Sequence, residues 1–345
     1  MNILGIETSC DETAAAVVRD GRDVLANVVF SQVDLHRPYG GVVPEVASRS
    51  HVTSLPDVIR EAIERSGLGW QDIDAVAVTY GPGLASSLLV GLSSAKALAM
   101  RLGKPLIGIN HLQAHIHSLF IGRDSPDPRE VCPFIALVVS GGHTCLVRVE
   151  APGRYVLLGQ TMDDAAGEAF DKGANMLGLG YPGGPAIDRV ARSGRADYVK
   201  FPRGRQLKDT ARVGGLDVEL CCSFSGLKTS LLYYLRDHPL SGERSEVPSI
   251  AASYQEAIVD TLVDRCRSAM RGERCLAAVG GVSLNGRLRT KLGDYAKSAG
   301  FRFLLAEPQY CADNAAMVAG LAGTGQGVSG PDVMSLDVDP NLDVA

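Results

Sequence analysis

Two stretches of the chain, ILGIETSCDETAAAVV at residues 3–18 and FIALVVSGGHTCLVRV at residues 134–149, follow the same plan. Each places an apolar strand, a polar turn and a second apolar strand in succession, which is the pattern of a β-hairpin. At an offset of about 130 residues, Ser9 falls on Ser140 and Thr13 falls on Thr144. An internal repeat of this kind predicts two related lobes.

The turns of these two hairpins are rich in hydroxyl groups and small residues. Small residues let a ligand approach the backbone, and outward-pointing N–H groups in such turns bind phosphate oxygens. A single hairpin would say little, because turns in general are rich in glycine, serine and aspartate. Two matched hairpins, each opening half of the chain, predict duplicated lobes that face each other across a nucleotide cleft.

The remainder of the chain alternates between strand and helix patterns, which predicts an α/β fold. Strand patterns occur at residues 3–6, 14–19, 75–79, 106–109, 135–139, 145–149 and 276–279, and helical patterns at 55–64, 87–102, 163–177, 249–270, 285–299 and 313–322. Glycine and prolines punctuate a polar stretch at residues 121–133. We therefore predict an N-terminal lobe at 1–130 and a second lobe at 131–312, with a segment of about 313–345 packing back on the first lobe.

The composition is that of an ordinary globular protein, with 46% hydrophobic and 21% charged residues in 345. No apolar run approaches the roughly 18 residues of a membrane span. The chain starts in a strand-like segment without a basic leader, so we expect a cytoplasmic protein without a membrane partner. The eight cysteines form no Cys-x-x-Cys pair, which excludes a zinc ribbon and argues against a disulfide framework.

The net charge of −5 argues against a general nucleic-acid-binding protein. Residues 189–212 nevertheless carry a local excess of positive charge, from Arg189, Arg192, Arg195, Lys200, Arg203, Arg205, Lys208 and Arg212 against Asp197 and Asp209. This stretch could engage a phosphate backbone or could be a solvated loop face.

Two histidines occur where an apolar run gives way to a predicted helix. On a helix, His111 and His115 would lie one turn apart on the same face and could share a metal ion. A peptidase with this spacing needs glutamate directly after the first histidine, and this chain has Leu112 there. Asp313 is a candidate third ligand. The alternatives are that the histidines cap the helix and that Asp313 is an N-cap.

Other motifs also allow two interpretations. Residues 280–285 follow a strand and open a helix, so Asn285 could contact a base or ribose, or could be an N-cap. Residues 181–188 form a rigid glycine loop that could shape a ligand cleft or fix the next helix. Asp171 could be an exposed helical residue, and Lys228 a surface lysine, since its motif lacks the spacing of a phosphate-binding P-loop.

The ordered set of motifs resembles one family over nearly the whole chain. The motifs are GIETSCDET at 5–13, NHLxxH at 110–115, VSGGH at 139–143, FDK at 170–172, YPGGP at 181–185, FSGLK at 224–228, GGVSxN at 280–285 and CxDN at 311–314. Each motif alone is moderately specific, whereas their order is highly specific. The chain is similar to the bacterial tRNA threonylcarbamoyladenosine biosynthesis protein D family, formerly called O-sialoglycoprotein endopeptidases.

This resemblance implies a two-lobe actin/hexokinase/Hsp70-type (ASKHA) fold and an acyltransferase. It implies transfer of a threonylcarbamoyl group from threonylcarbamoyl-AMP to N6 of the adenosine 3′ of the anticodon, position 37, in tRNAs reading ANN codons, with release of AMP. It assigns one divalent metal per subunit to His111, His115 and Asp313, a donor set that suits Fe(II), with Zn(II) as the alternative. It assigns nucleotide binding to Val138, Val139, Ser140, Gly141, Gly142, Asp171, Gly184, Asp188 and Asn285.

Because adenine N6 is a poor nucleophile, we expect a local base, and Asp11 and Glu12 on the first turn are the catalytic candidates. The chain departs from the family at Gln113, commonly glutamate, and at Ala114, often glycine. The resemblance also implies partners besides tRNA: a shorter non-catalytic paralogue (TsaB-type), a P-loop ATPase (TsaE-type) and a synthase that supplies the adenylate.

Three other functions are compatible with parts of this pattern. A metabolite kinase or ATPase could share the fold, although phosphoryl transfer on Mg²⁺ prefers oxygen ligands to histidines. A metallopeptidase is disfavoured by Leu112. A non-catalytic scaffold would not need an intact metal site.

Overall fold

The computed structural model describes residues 1–122, 124–204, 212–240 and 245–345. The strands are β1 (Asn2–Glu7), β2 (Glu12–Arg19), β3 (Asp23–Ser31), β4 (Ala75–Gly81), β5 (Leu106–Asn110), β6 (Phe134–Val139), β7 (Thr144–Ala151), β8 (Arg154–Gln160), β9 (Arg212–Val213), β10 (Leu216–Asp217), β11 (Cys275–Val279) and β12 (Arg302–Leu305). The helices are α1 (Val33–His36), α2 (Pro44–Ser66), α3 (Ala85–Leu102), α4 (His111–His117), α5 (Pro128–Val131), α6 (Ala166–Met176), α7 (Gly183–Ala191), α8 (Ser225–Asp237), α9 (Val247–Ala269), α10 (Gly286–Ala299) and α11 (Ala315–Ala322). Short 3-10 turns lie at Arg37–Tyr39, Trp70–Asp72, Ser118–Phe120, Val218–Leu220, Gly281–Leu284, Pro308–Tyr310 and Pro331–Ser335.

The chain divides into two compact units. The first unit contains Met1–Glu130 and Ala306–Ala345, and the second contains Val131–Leu305. Within the described ranges, no helix combines the length and apolar character that a membrane span requires. Of the basic stretch at residues 189–212, Arg205, Lys208 and Asp209 lie outside the described residues.

The first unit is built on a five-stranded sheet in the order β3-β2-β1-β4-β5. β1, β2 and β3 are antiparallel neighbours, while β4 and β5 are added in parallel to β1. Both faces of this sheet are buried, since β1 and β2 carry nearly continuous apolar runs. Side chains of α2 and α3 cover one face, where Leu55 and Leu92 join the core.

Helix α11 covers the other face of the first sheet. It is apolar on all sides and every residue in it is buried, as expected for a helix inside a core. Gly5 of β1 permits this packing, because an ideal Cβ there would lie 2.5 Å from the carbonyl oxygen of Ala315. The C-terminal part of the chain thus returns to the first sheet. This return brings Asp313, just before α11, close to α4.

The second unit repeats the topology of the first. Its sheet has the order β12-β11-β6-β7-β8, with β6, β7 and β8 antiparallel and β11 and β12 parallel to β6. Glu7 pairs with Ala14 in the first hairpin and Val138 pairs with Cys145 in the second, so one offset of 131 residues relates both pairs. The predicted duplication is therefore confirmed at the level of strand register.

Helix α9 is the central helix of the second unit. Most of its residues are buried, and Tyr254 at its middle is fully buried, with its hydroxyl donating to the Ala169 carbonyl of α6 at 2.9 Å. Helices α7 and α10 both pack against α9. This packing fixes the N-terminal ends of α6, α7 and α10, which carry the sequence motifs of this unit.

Candidate metal centre and catalytic turn

Helix α4 places both histidines as the sequence predicts. His111 is its first residue and His115 follows one turn later, both buried. The helix is capped by Asn110, whose Oδ1 accepts hydrogen bonds from the backbone N–H groups of Leu112 at 2.9 Å and Gln113 at 3.2 Å. The cap is therefore Asn110, and the two imidazoles are available for other chemistry.

Asp313 faces these imidazoles. Its Oδ1 lies 3.0 Å from Nε2 of His115 and 3.7 Å from Nε2 of His111. The N-cap of α11 is the next residue, Asn314, whose Oδ1 accepts from the N–H of Met317 at 3.1 Å. One ligand atom each from His111, His115 and Asp313 lies within 4.8 Å of the others, so the three residues could hold a metal ion.

Glu7, which the sequence analysis did not single out, orients His111. Its Oε2 lies 3.1 Å from His111 Nδ1 and accepts from Thr79 Oγ1 at 2.6 Å, while Oε1 accepts from the Ser9 N–H at 2.5 Å. The carboxylate thus requires a hydrogen on Nδ1, and Nε2 is the ring nitrogen that faces Asp313. A carboxylate behind a histidine is the usual outer partner of a metal ligand. The available signal in the sequence was a glutamate placed directly after the apolar run at residues 3–6.

The charges in this cluster favour a cation. Although burial opposes ionisation, the charge of His111 and hydrogen bonds from His111 and Thr79 keep the pKa of Glu7 below its usual value. Burial likewise opposes protonation of His111, but the charges of Glu7 and Asp313 raise its pKa to about 9. The field of the two carboxylates thus stabilises positive charge where a metal would sit.

Asp11 and Glu12 end the turn between β1 and β2 in the same unit. The turn is fixed by the Leu84 N–H, which donates to the Ser9 carbonyl at 2.8 Å, and by the Gln32 N–H, which donates to the Asp11 carbonyl at 3.3 Å. Burial, followed by the negative charges of Asp11 and Asp313, raises the pKa of Glu12 well above its usual value. Glu12 is therefore biased toward accepting a proton.

The matching turn of the second unit presents Ser140, Gly141 and Gly142 at its tip. The Ser140 N–H donates to the His143 carbonyl at 2.8 Å, and Ser140 Oγ accepts from the His143 N–H at 3.2 Å. Gly141 and Gly142 are exposed, and a Cβ on either would meet open space among the described residues. The side chains of Val138 and Val139, in contrast, are fully buried in β6 and pack in the core of the unit.

Asp171, Gly184, Asp188 and Asn285 gather around the N-terminal ends of α7 and α10. Asp171 Oδ1 accepts from the Gly183 N–H at 2.7 Å and so anchors the start of α7. A Cβ on Gly286, the residue after Asn285, would lie 3.5 Å from Asp188 Oδ2. Asn285 caps α10, with Oδ1 accepting from the Leu288 N–H at 3.0 Å and Nδ2 donating to Gln255 Oε1 at 2.8 Å.

Lys228 is more than a surface lysine. Its Nζ lies 2.7 Å from Asp164 Oδ2, and Lys172 Nζ lies 3.3 Å from Asp164 Oδ1. The neighbouring Asp163 accepts from the Phe224 N–H at 2.7 Å and so anchors the start of α8. The FDK and FSGLK motifs thus meet at two aspartates that the sequence analysis did not identify.

Comparisons with known proteins agree with this arrangement of motifs. Residues 23–320 match the family model described as tRNA N6-adenosine threonylcarbamoyltransferase. The chain is 47% identical over 344 residues to the tRNA N6-adenosine threonylcarbamoyltransferase of Clostridium perfringens, with 99% of this chain and 97% of the relative covered. It is 51% identical over 326 residues to that of Anaeromyxobacter dehalogenans, with 93% of each chain covered.

Solved structures give the same fold class at low sequence identity. Component A of the (R)-2-hydroxyglutaryl-CoA dehydratase of Acidaminococcus fermentans matches with a TM-score of 0.54 at 14% identity, covering 94% of this chain and 98% of that chain. These values bear on the fold alone. They confirm the predicted two-lobe α/β fold of the actin/hexokinase/Hsp70 type.

The name shared by these relatives describes an acyltransferase that acts on tRNA. The metabolite kinase, metallopeptidase and scaffold alternatives are therefore set aside. With identity near one half over almost its full length, the chain belongs to the tRNA N6-adenosine threonylcarbamoyltransferase family.

Proposed function

We propose that this protein transfers the threonylcarbamoyl group of threonylcarbamoyl-AMP to N6 of adenosine 37 in tRNAs reading ANN codons. The observation that carries the proposal is the convergence of His111, His115 and Asp313 in the unit that also holds Asp11 and Glu12. In the reaction, N6 forms a bond to the carbamoyl carbon, the bond from that carbon to the phosphate oxygen breaks, and AMP leaves. The N6 proton passes to a base.

His111, His115 and Asp313 would hold one divalent metal, Fe(II) by preference and Zn(II) as the alternative. Two imidazoles and one carboxylate suit both ions and leave coordination positions for a substrate. The hydrogen bond from His111 Nδ1 to Glu7 supports this fit, since it leaves Nε2, the nitrogen that faces Asp313, as the atom that would bind the ion. When bound, the ion would supply Lewis-acid polarisation of the threonylcarbamoyl or phosphate oxygens.

Glu12 is the stronger of the two candidates for the proton acceptor, with Asp11 beside it. Burial and the charges of Asp11 and Asp313 raise the pKa of Glu12 well above its usual value, which strengthens it as a base near neutral pH. Loss of transfer with adenylate binding intact in Glu12→Ala would support this role. Full activity of the Glu12→Ala variant would exclude Glu12 as the proton acceptor.

The second unit would bind the adenylate. Exposed backbone at Gly141 and Gly142 is suited to phosphate oxygens, since a ligand can approach it closely. The nucleoside would lie against the group formed by Asp171, Gly184 and Asp188. Asn285 would contribute chiefly by fixing α10, because both ends of its amide bond within the protein.

The partners would be tRNA, a non-catalytic paralogue, a P-loop ATPase and a synthase that supplies the adenylate, acting in the cytoplasm. The net charge of −5 supports a need for partners in tRNA binding, because an acidic protein attracts the tRNA polyanion only weakly.

Nucleoside analysis of tRNA tests the proposal. The protein is incubated with its partners, tRNA, threonine, bicarbonate and ATP, and the digested nucleosides are separated and weighed by mass spectrometry. We expect threonylcarbamoyladenosine in the complete mixture and a loss of at least about 100-fold in His111→Ala. Absence of the modified nucleoside, in a mixture that works with a known homologue, would contradict the proposed function.

A further inference from the structure

His51 is a buried histidine outside the metal cluster that contacts the turn bearing Asp11 and Glu12. It lies on α2 and is fully buried. Its Nε2 lies 2.9 Å from the carbonyl oxygen of Cys10, the residue directly before Asp11. No step of the proposed reaction uses this imidazole, so its contact with the turn needs an explanation.

The partners of His51 determine where its hydrogen lies. A carbonyl oxygen can only accept, so Nε2 carries the hydrogen and donates it to Cys10. Nδ1 lies 2.7 Å from Thr13 Oγ1 and 3.3 Å from Gln32 Nε2. The Gln32 amide nitrogen can only donate, so Nδ1 accepts.

A further contact supports this assignment. Gln32 Nε2 also reaches the Ala47 carbonyl at 3.4 Å, which requires the amide nitrogen on that side. Since Nδ1 accepts, Thr13 Oγ1 donates its hydrogen to it, while the single hydrogen of the neighbouring Ser54 hydroxyl is directed to the Ser50 carbonyl at 2.8 Å. The hydrogen bonds therefore run in one direction, from Thr13 through His51 to Cys10, and they require a neutral imidazole. Burial agrees, because it lowers the pKa of His51 despite the opposing Cys10 contact.

The hydrogen bond to Cys10 sets the orientation of one peptide group. In a trans peptide the carbonyl and the following N–H point in opposite directions. Holding the Cys10 carbonyl toward α2 therefore directs the Asp11 N–H away from His51 and fixes where the Asp11 side chain begins. The flanking carbonyls of Ser9 and Asp11 are bonded to Leu84 and Gln32. His51 thus supplies the central one of three consecutive anchors.

We propose that His51 is a positioning residue for the transferase reaction, holding the Cys10–Asp11 peptide so that Asp11 and Glu12 present their carboxylates to the substrate. This inference rests on the proposed function. It concerns the geometry of the turn and assigns His51 no contact with substrate. A displacement of about 1 Å in a catalytic group can cost on the order of 100-fold in rate.

Two polar variants test the inference. In His51→Gln the amide nitrogen can occupy the Nε2 position and donate to Cys10, whereas the shorter side chain of His51→Asn cannot reach it. With saturating partners and tRNA, we expect His51→Gln to keep kcat within about threefold and His51→Asn to lose about 10- to 100-fold. KM for the adenylate should change by less than about twofold in both.

Ser54→Ala is the matched control, since it removes a hydroxyl that lies 3.0 Å from Thr13 Oγ1 and leaves the bond from His51 to Cys10 in place. We expect it to keep kcat within about twofold. Equal kcat values in the Gln and Asn variants would overturn the inference, as would a change confined to KM. Thermal unfolding of all three variants reports any general loss of stability.

A failure of the proposed function itself has a separate readout. It would appear as absence of the modified nucleoside with the wild-type protein. Crystal structures of the two His51 variants then decide the inference without turnover. We expect the Cys10–Asp11 peptide to keep its orientation in His51→Gln and to rotate in His51→Asn, and an unchanged peptide in His51→Asn would overturn the proposal.

Discussion

At the scale of single residues, the candidate metal centre depends on a carboxylate that is not one of its ligands. Glu7 sits in the middle of the first sheet, yet its two oxygens accept hydrogen bonds from three different groups around the cluster. Its negative charge is compensated by His111, so the buried carboxylate is paired, as buried charges usually are. The orientation of His111 follows from this pairing.

We expect Glu7→Gln to weaken metal binding by about 10- to 100-fold, because outer-shell partners of histidine ligands contribute that much to affinity. Competition with a calibrated chelator measures the affinity. Glu64→Gln, on the exposed side of α2, is the control and should bind metal like the wild type. Unchanged affinity in Glu7→Gln would show that Glu7 does not support the site.

A second charged group couples α9 to α10 in the second unit. Glu256 lies 2.7 Å from Arg287 Nε and 2.5 Å from Lys291 Nζ. The hydrogen bond from Arg287, opposed by burial and helped by Lys291, lowers the pKa of Glu256 from 4.5 to about 2. Because the folded pKa lies below the ordinary value, this group stabilises the fold above pH 4.5 and loses its contribution as the pH falls from 4.5 toward 2.

We therefore expect Glu256→Gln to destabilise the protein at pH 7 by about 1–2 kcal/mol and to match the wild type more closely near pH 3. Thermal unfolding at the two pH values measures this. Glu219→Gln, in an exposed pair with Arg271, should have little effect at either pH. A difference from the wild type that stays constant with pH would contradict the assignment.

At the scale of elements, α4 is anchored by the last described residues of the chain. Gln113 Nε2 donates to the Val344 carbonyl at 2.9 Å, and Asn110 Nδ2 donates to the Asp343 carbonyl at 2.7 Å. Val344 itself is buried. The amide of Gln113 is needed for this bond, since an ionised carboxylate at position 113 could not donate to Val344.

We expect Gln113→Glu to release Val344 and its neighbours from α4. A carboxylate oxygen at position 113 would then face the Val344 carbonyl oxygen, and two acceptors form no hydrogen bond. Amide hydrogen exchange at residues 341–344 should become about 10-fold faster or more, corresponding to a loss of roughly 1.4 kcal/mol. Gln309→Glu is the matched control, since Gln309 is exposed and bonds to the nearby Glu307. Equal protection in wild type and Gln113→Glu would rule out the anchor.

Elements also differ in how well their sequence predicts them. The central strands β1, β4, β6 and β11 are continuous apolar runs, and each was predicted within two residues. Three outer strands, β3, β8 and β12, were missed, whereas the outer strand β5 was predicted at residues 106–109. Most residues of the three missed strands are at least partly exposed, whereas four of the five residues of β5 are buried. The missed strands mix polar and apolar residues and so lack a clear hydrophobic period.

At the scale of the whole molecule, the candidate site is completed by the C-terminal part of the chain, which returns to the first sheet. Asp313 reaches His115 only because α11 packs on the first sheet, more than three hundred residues after β1 in the chain. Gly5 is the point of closest approach. A side chain there would meet the backbone of α11, which cannot move aside as the end of a flexible side chain could.

We expect Gly5→Ala to destabilise the protein by about 2 kcal/mol or more and to weaken metal binding, because the added methyl pushes α11 and Asp313 away from α4. Gly293→Ala is the matched control. It lies within α10 with open space around its Cβ among the described residues, so alanine should stabilise that helix by up to about 1 kcal/mol. Thermal unfolding and chelator competition measure both variants, and a stable, metal-binding Gly5→Ala protein would contradict this account.

The sequence by itself determined the fold class, the duplicated hairpins and the placement of His111 and His115 on one helical face, because these depend on local hydrophobic period and spacing. It could not decide between ligand and N-cap for Asp313, and it gave no role to Glu7, His51 or Asp164. Those roles depend on contacts between elements far apart in the chain. Only the tertiary structure decides them. The partners of a side chain depend on which elements pack together, and the spacing of residues along the sequence does not specify that packing.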